Sequence, residues 1–313
     1  MKIAIIGTGG VGGFFGAKLY ASGQDVHFVA RGIHLDAMQR TGLRVQSPDG
    51  NLHVPPDRFT GDASSLGNAD VILLCVKTYD TAAAARSIPP LLSRGTLIIP
   101  LQNGVESEQT LRRLLSEGTV YSGVAYVYST VTAPGVITEA GKPRKIQFGP
   151  ISGHTADGPA ATLISALLGA GVDAEFLTDM RSALWQKFLF IAAVGGLTAV
   201  TRLTLGEILA VPRTTALLAD AMRETDDVAR ALGVPIEPGH VDAVLEKLGN
   251  YSNDTRSSLY HDLINGKPME IEALSGAVVR YGAQLGVPTP VHEFLYAALL
   301  PHHLNHLRTR RGA

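Results

Sequence analysis

The chain has 313 residues, 45% of them hydrophobic, and a formal net charge of −1 at pH 7. That length suits two domains of about 150 residues each. A charge so close to zero, without long Lys/Arg runs, argues against nucleic acid as a partner and leaves a small molecule as the expected one. The single cysteine, Cys75, excludes an internal disulfide framework and fits a reducing, cytoplasmic setting.

The opening "MKIAIIG" has four apolar residues before a glycine-rich run, too few for a signal-peptide core of about 7 to 15. It reads as a strand over Lys2–Ile6. Further β-rich runs follow at Val26–Ala30, Val71–Val76 and Thr96–Pro100, with a helix-compatible segment at Val11–Ser22. Near-continuous apolar strands of this kind suit a mostly parallel sheet covered on both faces. From Val120 to Gly149 strands alternate with turn signals, "APG" and "AGKPRK", and a helix at 158–168 and a strand at 173–176 follow. This stretch is expected to extend the first sheet.

Beyond Thr178 the strand signal ends, and helical segments are predicted at about 179–203, 213–232, 238–250, 270–285 and 289–307, with "GVP" at 233–235 and 286–288 as punctuation. The expected organisation is an α/β Rossmann domain over residues 1–178 and an all-α domain over 179–313. The apolar stretch after Lys187 ends near Val200, short of the roughly 20 residues that cross a bilayer, so no membrane span is expected. The terminal "RTRRG" reads as a solvated tail.

Strand Lys2–Ile6 runs into "GTGGVG", where Gly7, Gly9 and Gly12 form G-x-G-x-x-G at the start of a helix. Glycines there permit a tight turn and a close approach of the backbone to a pyrophosphate, which sits on the positive helix end. Between a strand and a helix the pattern points to a dinucleotide held by Gly7, Thr8, Gly9, Gly10, Val11 and Gly12. The second strand ends near Arg31, where an NAD site usually has Asp or Glu. A guanidinium suits a 2′-phosphate, so NADPH is favoured. Two later strands end on Lys77 and on Gln102 and Asn103, and in open α/β sheets ligands bind beyond such ends. An ordinary Asn-Gly turn and a solvated lysine are the plain alternatives.

Lys187 lies in the apolar stretch "ALWQKFLFIAAVGGLTAV", with Ala183, Leu184, Phe190 and Ile191 as its helical neighbours. It must snorkel to water or find a partner elsewhere. Glu270 is a candidate partner, expected to open a helix with an inner stripe of Ile271, Leu274, Val278 and Tyr281. As a first-turn residue it could equally serve the helix dipole. His302, His303 and His306 cluster near the end without an acidic ligand, so they read as a solvated helix, and no metal is expected.

Through "MKIAIIGTGGVGG", "VKTYD", "QNGVE", "LWQKF…LTA" and "SSLYHDLINGKPMEIE" the chain resembles the ketopantoate reductase (2-dehydropantoate 2-reductase) family over nearly its full length. The resemblance implies a Rossmann domain and a helical domain with the active site in the cleft between them. It implies reduction of a 2-oxo acid by NADPH, by family default 2-dehydropantoate to pantoate in pantothenate biosynthesis. By motif, Lys187 matches the catalytic lysine, Glu270 the active-site glutamate and Ser258 a substrate-carboxylate contact. Asn103 and Lys77 match residues near nicotinamide and substrate, and Arg31 the 2′-phosphate residue. A homodimer is compatible with this reading.

The pattern departs from the family at three places where many members carry Asn: Ile191, Gly195 and Thr255. A 2-oxo acid with an apolar side chain is therefore one alternative substrate, and a non-catalytic NADP(H) sensor is another reading, opposed by the retention of Lys187 and Glu270. Gly195 and Gly196 each cost the helix about 1 kcal/mol relative to alanine, which points to close packing or to room for a ligand.

Overall fold

Ile3 through Ile6 are all buried, and strand alternation divides them between two cores. Ile3 and Ile5 join Phe14, Phe15, Val71, Leu73 and Ile99 on one side; Ala4 and Ile6 join Ile72, Leu74, Ile98 and Leu111 on the other. The computed structural model describes residues 1–151, 153, 156 and 158–312. In chain order its first half holds β1 (Lys2–Ile6), α1 (Gly10–Ala21), β2 (Asp25–Val29), α2 (Gly32–Thr41), β3 (Leu43–Gln46), β4 (Leu52–Val54), β5 (Phe59–Thr60) and β6 (Val71–Leu74). Then follow α3 (Thr81–Ala85), β7 (Leu97–Pro100), α4 (Ser107–Leu114), β8 (Thr119–Val120), β9 (Ser122–Ala133), β10 (Val136–Gly149), α5 (Gly158–Gly169) and β11 (Asp173–Phe176). Six strands in the order β5-β2-β1-β6-β7-β8 form a wholly parallel sheet. Burial on both faces explains the uninterrupted apolar runs of β1, β6 and β7.

Beyond β8, which ends at Val120 and is the last strand of this sheet, the stretch does not extend it as the sequence suggested. β9 and β10 instead belong to a second sheet, ordered β11-β10-β3-β4 with β9 on β10. The difference comes from the hairpin β3–β4, whose strands of 4 and 3 residues leave little periodicity to read. β3 pairs parallel with β10. "AGKPRK" is likewise no turn: it lies inside β10, where the pairing register shifts between Glu139 and Arg144. A bulge takes up the Gly and Pro that an unbroken ladder would exclude. Arg144 grips Glu139 across it with two bonds of 3.0 and 2.9 Å. Helix α1 packs on both sheets, with Phe14 and Phe15 in one core with Ile5, Ile137, Ile146 and Phe148.

The second half holds α6 (Arg181–Thr201), α7 (Leu205–Leu209), α8 (Pro212–Ala231), α9 (His240–Lys247), α10 (Ser258–Ile264), α11 (Ser275–Leu285) and α12 (Pro290–Gly312). The chain divides into two compact units, one of Met1–Gln102 with Glu106–Met180 and one of Asn103–Val105 with the residues from Arg181 onward. Helix α6 has 21 residues and is apolar enough to cross a bilayer by length and composition, so the length argument from sequence does not hold; 72% of its most apolar window is buried within the protein. It is apolar all round because α8, α10 and α12 cover it. Gly233 and Gly286 take left-handed φ values of 72° and 70° just beyond α8 and α11, as the "GVP" punctuation required.

Two further expectations need correction. Glu270 does not open a helix: α11 begins at Ser275, and the carbonyl of Glu270 accepts from Ala273 and Leu274 N–H at 3.1 Å each in a non-helical turn. The predicted stripe is inward-facing all the same, with Ile271, Leu274 and Val278 buried. "RTRRG" continues α12 rather than trailing from it, with Arg308, Thr309 and Arg310 exposed.

Candidate active site

In the first unit the loop between β1 and α1 is shaped by its glycines. Gly7 has φ +102°, and a Cβ there would stand 2.6 Å from the Val76 nitrogen. A Cβ on Gly12 would meet the Gly7 carbonyl at 2.2 Å and Cys75 at 2.8 Å, so this glycine lets the helix sit close on the strand. At Gly9, by contrast, nothing lies within 4 Å. That open side faces a helix start with no capping side chain and no acid in its first turn, an arrangement that takes an anion. Thr8 is buried and donates to the Val29 carbonyl at 3.2 Å, while Gly10 and Val11 are half-buried in the first turn. Burial pushes the Cys75 thiol up to about 12, which leaves it an inert packing group.

Arg31 stands between β2 and α2, exposed, and pairs with Asp80. Lys77 directly precedes the short turn Thr78–Asp80 after β6 and is half-buried. The sequence did not single out Asp80, although it lies in the quoted "VKTYD". His34 was also missed: its Nδ1 accepts from Gly135 N–H at 3.0 Å, so its Nε2–H donates to the Thr8 carbonyl at 2.9 Å, tying the glycine loop to the β9–β10 turn. Gln102 is buried, and its Nε2 donates at 2.8 Å both to the Val76 carbonyl and to Thr81 Oγ1.

In the second unit the structure brings three of the expected residues together. Lys187 Nζ donates to Asn103 Oδ1 at 3.0 Å. Burial pulls the lysine down to about 8, and the charge of Glu270 works against that fall. Glu270 is itself 4% exposed. Lys187 is half-buried as a residue, yet its ammonium end is enclosed, and the charge within the apolar stretch is thereby explained: its partners are Asn103 and Glu270, far off in sequence. Such a group can donate a proton near neutral pH and stabilise a developing oxyanion.

A family model described as "Ketopantoate reductase PanE/ApbA" matches residues 3–153, and the corresponding C-terminal model matches residues 179–302. The chain belongs to the ketopantoate reductase family. A curated relative, a 2-dehydropantoate 2-reductase of Mesorhizobium japonicum, is 32% identical over 95% of this chain and 96% of its own. The crystal structure of a PanE/ApbA family ketopantoate reductase from Ralstonia eutropha superposes with a TM-score of 0.89 at 34% identity, covering 98% of this chain and 100% of that one. A D-mandelate dehydrogenase solved with NADH and anilino(oxo)acetate shares the fold, with a TM-score of 0.88 at 22% identity over 98% and 99% of the two chains. The protein is thus an oxidoreductase of the ketopantoate reductase family, with a parallel α/β unit and a helical unit.

The ketopantoate reductase resemblance assigned a carboxylate contact to Ser258. It is the first residue of α10, exposed, and its hydroxyl makes no hydrogen bond with the described residues, whereas its neighbour Ser257 caps the helix by accepting from Tyr260 N–H at 3.0 Å. The three departures from the family pattern have different surroundings. Gly196, the neighbour of one of them, is required by packing, since a Cβ there would stand 2.6 Å from Leu295. Gly195 is not: a Cβ would meet Leu274 and Leu259 at 3.7 and 3.8 Å, ordinary contact. Thr255 uses only its backbone, accepting from Leu205 N–H at 2.8 Å, and Ile191 is half-buried.

Proposed function

We propose that this protein reduces a 2-oxo acid to the 2-hydroxy acid with NADPH, the family's default conversion being 2-dehydropantoate to pantoate in pantothenate biosynthesis. The observation that carries this reading is the grouping of Asn103, Lys187 and Glu270, with the lysine held at about 8. NADPH, when bound, would supply a hydride for the substrate's carbonyl carbon. Lys187 hydrogen-bonds the carbonyl oxygen and gives it a proton as negative charge develops there. Asn103 orients the ammonium, and Glu270 keeps it protonated at working pH. Ser258 holds the substrate carboxylate. Gly7, Thr8, Gly9, Gly10, Val11 and Gly12 take the pyrophosphate, Arg31 the 2′-phosphate, and Lys77 contributes positive charge on the nicotinamide side. The open space at Gly9 and the uncapped start of α1 support the pyrophosphate assignment.

A second substrate reading, a 2-oxo acid with an apolar side chain, is favoured by the two leucines that flank Gly195 where many family members have Asn. The D-mandelate dehydrogenase neighbour, solved with an aromatic oxo acid, is in keeping with it. NADPH oxidation with ketopantoate, 2-oxoisovalerate and phenylpyruvate tests both. Reduction of any of them, lost in Lys187→Ala, supports the reductase, and the ranking of kcat/KM chooses the side chain. NADPH binding without turnover of any 2-oxo acid would return the sensor reading.

A further inference from the structure

The histidine cluster near the C-terminus is not the solvated helix face that its sequence suggested. His302 is exposed, but His303 is 2% exposed and lies against the segment that carries Glu270. Its Nδ1 accepts a hydrogen bond from Met269 N–H at 3.1 Å. One turn further along α12, His306 Nδ1 lies 2.9 Å from the Lys267 carbonyl, to which it donates. About two turns earlier, Tyr296 donates to Glu272 Oε1 at 2.9 Å. The stretch Lys267–Leu274 is not helical, so it lacks the ladder that would otherwise fix its path, and α12 anchors it at Lys267, Met269 and Glu272. Glu270 sits in the middle of those anchors, one peptide from the histidine bond.

We propose that His303 is a positioning residue: by accepting the Met269 N–H it fixes the backbone that presents Glu270 to Lys187. The inference rests on the reading of Lys187 as proton donor. The logic is geometric. Met269 is fully buried, so its N–H has no water to turn to, and loss of the acceptor leaves a buried donor unsatisfied. The backbone relieves this by rotating the peptide, and the residue carried with it is Glu270. For Nδ1 to accept, the ring must be neutral with its proton on Nε2. Burial favours that form; Glu272 opposes it and His306 reinforces it. Arg280, which donates to Glu272 at 3.2 Å, tempers the carboxylate on that side.

The test compares His303→Asn, His303→Gln and His303→Leu in the full chain with the parent and Glu270→Gln. Asparagine places an acceptor near the position of Nδ1; glutamine reaches instead toward Nε2; leucine offers none. His303→Leu and His303→Gln are expected to lower kcat by about ten- to a hundredfold, the cost of a small misplacement at a reacting centre, with NADPH affinity unchanged. The alkaline limb of the pH–kcat profile is expected to move to lower pH, because Glu270 no longer supports the ammonium, and His303→Asn to restore both. A merely structural role would lower stability without moving the limb. If His303→Leu does not fold, the Asn and Gln pair decides: identical limbs overturn the inference. If Glu270→Gln moves the limb and no His303 variant does, the positioning role alone is wrong. If Glu270→Gln leaves the limb in place, the limb does not report Lys187, and the functional reading falls together with the inference.

Discussion

Arg31 and Lys187 are both cations assigned to an anionic partner, and they work under opposite conditions. The Arg31 side chain is 64% exposed and already paired with Asp80. Water screens its charge, and an exposed pair of this kind is worth about 0–1 kcal/mol. Lys187 is enclosed, and its charge is conditional, held near the edge of loss by burial against the support of Glu270. In the wet setting a cation can select a ligand by charge without much energy. In the dry one it can move a proton, because its two states lie close in free energy.

The largest effect belongs to the dry site. Lys187→Ala is expected to lower turnover by about 10² to 10⁴ with NADPH affinity intact, and near-normal turnover would reduce the lysine to a structural role. Lys187→Met sharpens the contrast through stability. A lysine whose folded pKa of about 8 lies below its ordinary 10.5 is disfavoured as an ammonium by the fold, so its burden is fully present below pH 8 and gone above 10.5. Compared in a Glu270→Gln background, so that no buried carboxylate loses its cation, the methionine variant should gain roughly 1–3 kcal/mol at pH 7, a gain that vanishes toward pH 10.5. Urea unfolding at the two pH values measures this, and no gain at neutral pH would mean that the ammonium is adequately solvated.

Activity and stability should then move in opposite directions over the same window. On the proposed mechanism the protonated lysine is the working form, so kcat should fall above about pH 8, while the fold should become more stable. Glu270→Gln removes the charge that opposes the burial effect and should shift the fall to lower pH. A pH–rate profile from 6 to 10 checks this; a shift to higher pH would show that Glu270 acts on another proton.

How much of this could be read in sequence follows the same divide between local and distant. The parallel sheet was legible because two-sided burial writes continuous apolar runs, and the glycine loop because its spacing encodes local geometry. The second sheet was not, since β10 is interrupted by a bulge and its partner β3 lies some 90 residues away, with Arg44 opposite Val136. Lys187 was visible as an anomaly on an apolar helix. Its link to Asn103, 84 residues distant, came from no pattern, and His303 was hidden because a buried histidine and a solvated one look alike in a row of letters. Asp80 was in view and passed over, because a turn carboxylate three residues past Lys77 carries no sign of where it points.

The wet site gives the next effect. Arg31→Ala removes charge-assisted bonds worth about 1.5–3 kcal/mol, so NADPH should bind roughly 10- to 100-fold more weakly while NADH changes little. Fluorescence titration of both cofactors measures the ratio, and equal affinities in the parent protein would end the 2′-phosphate assignment.

Asp80 refines that assignment and is the smallest effect. In the structure it neutralises the guanidinium that the 2′-phosphate would engage, so the phosphate must displace or share a carboxylate before it gains Arg31. Asp80→Asn removes the competing charge and keeps the shape. Since an exposed pair is worth at most about 1 kcal/mol, NADPH should bind no more than about fivefold more tightly, NADH should be unaffected, and the gain should shrink with added salt. A loss of NADPH affinity instead would mean that Asp80 holds the guanidinium in the orientation that the phosphate needs, making the pair a preformed clamp rather than a brake, and the two cations would then share one principle: each is aimed by a carboxylate.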